Sequence, residues 1–245
     1  MAILLASVTA FATFLGGLLA VKSKGHLHLV LGLSGGLLLG LVAFDLIPEV
    51  FELSNAEVWH TPAVMLCFVG GFLLLHVFER FSGTHERADS EYEATHQHAH
   101  SRIGAVAALG MTGHVFMDGL GIGLAFQVSH SLGWLVAAAV TTHAFTDGLN
   151  TVSLLIRSKH WQKKALLLLG ADAVARITGA FLGSKIAISN NFLGLYLAIF
   201  SGFLIYLATS HILPEAHSKH PSRLTLLMTV LGTTIMFVIV NLLHE

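Results

Sequence analysis

Eight apolar stretches run through this sequence from end to end: Met1–Val21, Leu27–Leu53, Pro62–Phe78, Ile103–Gln127, Leu132–Ile156, Ala165–Ala187, Phe192–Ile212 and Leu224–Leu243. A helix that crosses a bilayer needs about 20 mostly apolar residues. In hydrocarbon the backbone must satisfy its own polar groups, so such runs fold as helices. The period-two alternation of barrel strands is absent. The expected fold is an all-α integral membrane protein with eight transmembrane helices, residues 1–245 forming a single membrane domain. Composition agrees: 54% of the residues are hydrophobic and 11% charged, against about 25% charged in a soluble domain, and the mean hydropathy is +0.75. A soluble globular enzyme and a disordered chain are both excluded. A formal net charge of −1 gives no electrostatic footing for nucleic acid. The single cysteine, Cys67, rules out a disulfide framework and a Cys-rich metal site.

Details of the runs can be anticipated. The third is short and is expected to extend to Phe81. The second is long, with a tilt or a break at Pro48. Met1–Val21 has no positively charged leader, and another apolar run follows at once, so it reads as a retained helix. Orientation follows from the cations. Lys22, Lys24, Arg80, Arg87, Arg102, Arg157, Lys159, Lys163, Lys164, Lys219 and Arg223 all fall in alternate loops on one side, whereas the other side carries only Lys185. Cations mark the cytoplasmic face, which places both termini outside. One cytoplasmic loop, residues 81–101, is long and polar. Its His85, His96, His98 and His100 are candidates for loose metal capture. Histidine is the compositional anomaly, with 16 residues against 13 lysines and arginines together.

Ionisable residues inside a membrane helix are costly and mark functional sites. The fourth run contains G-H-V-F-M-D-G, with His114 and Asp118. The fifth contains T-H-A-F-T-D-G, with His143 and Asp147. Each pair is spaced i,i+4 and shares one helix face. His114 and His143 each lie about 16 Å from the start of their runs, near the middle of a core about 30 Å thick. A short loop joins the two helices, so the motifs meet at one level. Two imidazoles and two carboxylates make a shell for a divalent transition metal, whose charge cancels theirs. The competing reading has each histidine bonded to its own i+4 aspartate as glue between helices. Asp172 and Arg176, i,i+4 in the sixth run, read as an internal ion pair or as added positive charge that disfavours a second cation. Asp45 and Glu49 near the outer end of the second run are candidate entrance groups. His76 and Glu79 of the third run and His211 and Glu215 of the seventh are candidate exit groups. F-D-L-I-P-E closes the second run on one face and S-H-I-L-P-E the seventh on the other. That echo suggests an inverted repeat of helices 1–3 against 6–8, with 4 and 5 between, an architecture of secondary transporters with a midplane site.

Taken together, H-x-x-x-D-G in the fourth and fifth runs, D-L-I-P-E, H-I-L-P-E and the His-rich loop resemble the ZIP (Zrt/Irt-like) metal transporter family over all eight runs. The resemblance implies a 3+2+3 inverted-repeat fold, a homodimer, and uptake of Zn²⁺ or a related divalent ion (Fe²⁺, Mn²⁺, Co²⁺ or Cd²⁺) into the cytoplasm. It also implies elevator-type alternating access, helices 1, 4, 5 and 6 moving against 2, 3, 7 and 8, in a plasma or bacterial inner membrane. The family's first metal site maps onto His114, Asp118, His143 and Asp147. The polar residues that often follow the two histidines are here Val115 and Ala144, and Arg176 stands where many members carry a glutamate. The second, bridging metal is therefore expected to be lost. Two rival functions are an intramembrane zinc-dependent hydrolase and a b-type haem carrier with His114 and His143 as axial ligands. A symmetric four-donor shell without H-E-x-x-H argues against the first, and the paired aspartates argue against the second.

Overall fold

A computed structural model describes residues 1–22, 27–82, 99–155, 161–187, 189–218 and 222–244. His85, His96 and His98 lie outside the described residues, as does the side chain of His100. Each apolar run is helical over most of its described length. α1 is Ala2–Lys22, α2 Leu27–Leu41, α3 Ile47–Leu53, α4 Ala63–Ser82, α5 Ala99–Val128, α6 His130–Leu155, α7 Trp161–Gly183, α8 Asn190–Leu207, α9 Leu213–Ser218 and α10 Arg223–His244. The third run reaches one residue past Phe81. Among the described residues, five helical stretches are long and apolar enough to cross a membrane: 28–53, 63–81, 166–183, 190–217 and 223–242. A shorter apolar stretch occupies Ala2–Leu18 of α1.

The second run does not break at Pro48. A five-residue π-helical stretch, Val42–Leu46, joins α2 to α3, and the backbone N–H of Ile47 bonds to the carbonyl of Val42. The seventh run repeats this form. The stretch Ala208–Ile212 joins α8 to α9, and the N–H of Leu213 bonds to the carbonyl of Ala208. In each case a proline follows at once, Pro48 or Pro214. Proline brings no N–H and crowds the carbonyl one turn back. A wider turn just before it keeps the helix continuous, and such bulges recur at functional sites.

Between α3 and α4 a two-stranded hairpin pairs β1 (Glu57–Val58) with β2 (Thr61–Pro62). Its two turn residues, Trp59 and His60, both have positive φ, 49° and 63°. Trp59 is almost fully exposed.

The helices pack as two bodies. α1, α5, α6 and α7 form one, chiefly through α1 on α6 and α5 on α7. α2, α3, α4, α8, α9 and α10 form the other, chiefly through α2 on α10 and α4 on α8. The seam between the bodies is thinner and runs mainly along α2–α6 and α5–α8. At the seam the Tyr196 hydroxyl of α8 donates to the Met117 carbonyl of α5 at 3.1 Å. Glycines set the closest approaches inside the first body. A Cβ at Gly148 would lie 1.8 Å from the Thr13 carbonyl oxygen, and one at Gly119 would lie 2.0 Å from that of Arg176. Small residues let helix backbones touch where lipid supplies no hydrophobic driving force between them.

Leu38, Leu41, Val42, Leu46, Leu197 and Leu204 are fully enclosed in the core. Large apolar side chains also cover the outside, among them Leu66, Leu73 and Leu74 of α4 and Leu226, Leu227 and Phe237 of α10. A water-facing protein seldom shows such continuous apolar surface, whereas a bilayer requires it.

Candidate metal centre

The i,i+4 spacing puts His114 and Asp118 on one face of α5, and His143 and Asp147 on one face of α6. The two faces meet inside the first body. One donor atom from each of the four side chains falls within a group no wider than 4.8 Å. His143 Nε2 lies 3.0 Å from Asp118 Oδ2 and 4.0 Å from Asp147 Oδ2, while His114 Nε2 lies 3.5 Å from Asp118 Oδ2. The two imidazoles are 5.8 Å apart between centroids. Four ligands around one zinc at 2.0–2.2 Å stand roughly 3.4 Å from one another. The observed spacings bracket that value.

Burial sharpens the case. Asp118 and His143 are fully enclosed, and His114 and Asp147 nearly so. Both ring nitrogens of His114, Oδ1 of Asp118 and Oδ2 of Asp147 are buried without a hydrogen-bond partner. Orphaned polar atoms are rare in folded proteins and call for an explanation; here they fall on three of the four grouped side chains, His114, Asp118 and Asp147. His143 Nδ1 lies 3.0 Å from the carbonyl of Ala139. An N–H donated there fixes the ring with Nε2 facing Asp118 Oδ2 at hydrogen-bond distance, the orientation in which a metal ion between them would take the Nε2 lone pair. A paired His–Asp glue would satisfy each histidine on its own helix. Instead the shortest contact crosses between helices, from His143 to Asp118.

Arg176 departs from the expected internal pair. Its ion-pair contact is with Asp118 Oδ2 at 3.5 Å, and among the described residues none joins it to Asp172. Asp172 accepts instead from Thr112 Oγ1 at 3.2 Å. The i,i+4 spacing allows the pair within α7, but α5 packs backbone to backbone at Gly119 and brings Asp118 within reach. Val115 and Ala144 are fully buried apolar neighbours of the two histidines.

Three of the four expected exit residues come together with one that the sequence reading missed. The Tyr206 hydroxyl donates to Glu79 Oε2 at 2.6 Å, and His211 Nε2 bonds the same carboxylate at 2.8 Å. His76 Nδ1 lies 3.3 Å from the Tyr206 hydroxyl. The cluster ties α4 to α8. Glu215 stands on α9, one turn beyond His211. Asp45 lies in the first π-helical stretch and is buried, and Glu49 follows on α3. A signal for Tyr206 existed: the sequence holds three tyrosines, two of them in the seventh run. A phenol inside a bilayer must find a partner. Thr112, two residues before His114, carried no such signal.

Comparison with known proteins adds an independent line. The family profile described as ZIP Zinc transporter matches residues 82–240. The chain is 29% identical over 190 residues to Zinc transporter ZIP9 of Xenopus tropicalis, covering 69% of this chain and 62% of that protein. It is 24% identical over 217 residues to Zinc transporter YKE4 of Saccharomyces cerevisiae, covering 80% and 63%. It is 29% identical over 115 residues to mouse Zinc transporter ZIP4, covering 47% and 17%. The matched part of the chain thus spans less than two thirds of the length of each of these relatives.

Proposed function

The chain belongs to the ZIP zinc transporter family, and from that premise we propose that it carries a divalent transition metal, Zn²⁺ foremost, across a membrane into the cytoplasm. Fe²⁺, Mn²⁺, Co²⁺ and Cd²⁺ suit the same donors. The observation that carries the proposal is the closed group of His114, Asp118, His143 and Asp147, one donor atom from each lying within 4.8 Å of the others, with buried atoms of three of them lacking a hydrogen-bond partner. Two carboxylates and two neutral imidazoles need two positive charges, and one divalent ion brings them. The ion is cargo. It enters past Asp45 and Glu49, sheds water at the midplane, and leaves past His76, Glu79, His211 and Glu215 towards the histidines of residues 81–101.

Eight spans, both termini outside, follow from the cation asymmetry of the loops. The inverted repeat is supported by the paired π-helical stretches and by matched packing. α1 on α6 answers α7 on α5, and α2 on α10 answers α8 on α4. The thin seam between two bodies suits alternating access in which the body holding the site slides against the other as an elevator. A homodimer in a plasma or bacterial inner membrane completes the proposal by family likeness. Arg176 beside Asp118 and the apolar Val115 and Ala144 favour one ion per protomer over two. A hydrolytic zinc centre keeps an open position, whereas here four side chains close the shell, so transport is preferred to hydrolysis.

The test is uptake of radiolabelled zinc by proteoliposomes loaded with a chelator. Protein-dependent uptake is expected. No uptake of zinc, iron or manganese would overturn the proposal and direct attention to amide or lipid hydrolysis by the purified protein.

A further inference from the structure

The guanidinium of Arg176 is fully buried, and none of its Nε, Nη1 and Nη2 atoms has a hydrogen-bond partner. This is an expensive arrangement. A guanidinium that serves stability usually grips its carboxylate through two parallel short bonds. Arg176 instead makes one long contact of 3.5 Å to Asp118 Oδ2, and Asp118 Oδ1 stays open. It neither clamps the ligand nor blocks the metal's approach. The cation also cannot drift from the site. Gly119, next to Asp118, packs directly on the backbone carbonyl of Arg176, which seats α5 backbone to backbone on α7. Facing the guanidinium and its surroundings are Asp118 and His114 of α5, His143 and Asp147 of α6, and Asp172 one turn away on α7.

We propose that Arg176 is a resident counter-charge for the unloaded site, standing in for the cargo while the empty carrier returns across the membrane. The inference rests on the transport reading above. With metal bound, the carboxylates of Asp118 and Asp147 are neutralised by the ion. Once it leaves, both would cross the bilayer as buried anions. A guanidinium does not release its proton in a protein, so Arg176 offsets part of that charge at any pH and travels with the site. The same charge repels the incoming ion and holds affinity below what the four donors alone would give.

That combination separates the proposal from a structural role. Replacing Arg176 with Met or Gln removes the counter-charge, and Arg176→Lys keeps it. Purified protein gives zinc affinity by calorimetry. Proteoliposomes give net uptake into zinc-free vesicles and tracer exchange into vesicles preloaded with unlabelled zinc. Net uptake requires the empty carrier to return; exchange does not. For R176M and R176Q, zinc binding is expected to tighten and net uptake to fall, each by at least about tenfold. Exchange should stay near the wild-type rate, and R176K should restore net uptake. Equal loss of net uptake and exchange with weakened binding overturns the proposal, as does a net rate like that of wild type. A wild-type protein that moves no zinc in either mode overturns the transport reading and this proposal with it.

Discussion

His114 and Asp118, with His143 and Asp147, were legible in the sequence because two rules of geometry suffice for them. Residues four apart share a helix face, and consecutive helices joined by a short loop are neighbours. Arg176 was legible as a buried charge, and the family resemblance set it near the metal site, but its contact with Asp118 in place of Asp172 was not legible, since periodicity reports the partners on its own helix and not those that a touching helix brings. Tyr206 and Thr112 show the same limit. At this scale proton competition yields a prediction. Protons and the metal ion compete for the same donor lone pairs, so binding should weaken on acidification. The apparent affinity of purified protein should drop as pH is lowered, by up to about tenfold per pH unit for each proton that the ion must displace. Affinity that holds level from pH 7.5 to 5.5 would mean the histidines do not bind the ion.

At the scale of elements, the apolar runs placed the helices to within a few residues, because bilayer thickness sets their length. The π-helical stretches before Pro48 and Pro214 were not readable. An extra residue in one turn leaves hydrophobicity unchanged, and only the shared L-P-E or I-P-E ending hinted that two places are built alike. Glycine is the element-scale device that positions the site. Gly148→Ala drives a Cβ into the Thr13 carbonyl of α1, and Gly119→Ala drives one into the Arg176 carbonyl of α7. Backbone cannot yield as a side-chain tip can, so each should cost about 1–3 kcal/mol or more. Gly70→Ala and Gly170→Ala meet nothing within 4 Å and serve as controls. Thermal unfolding in detergent should show lower midpoints for the first two alone. Equal behaviour of all four would contradict the close packing of α1 on α6 and α5 on α7.

For the whole molecule, the family resemblance set the first, fourth, fifth and sixth runs against the second, third, seventh and eighth, and the helices of each group pack chiefly on one another; movement of one group against the other belongs to the proposal. Composition alone could not supply that grouping, since both bodies are apolar. The central proposal is that the buried donors of α5 and α6 hold the ion that is carried. The most direct measurement compares zinc uptake by proteoliposomes bearing wild type, Asp118→Ala and Asp147→Ala, with reconstitution matched by protein content. Wild type should accumulate zinc, and either substitution should reduce the initial rate by at least about tenfold, since one lost charge-bearing ligand removes several kcal/mol of ion stabilisation. Either variant transporting at the wild-type rate would contradict the assignment of the site, whatever the family.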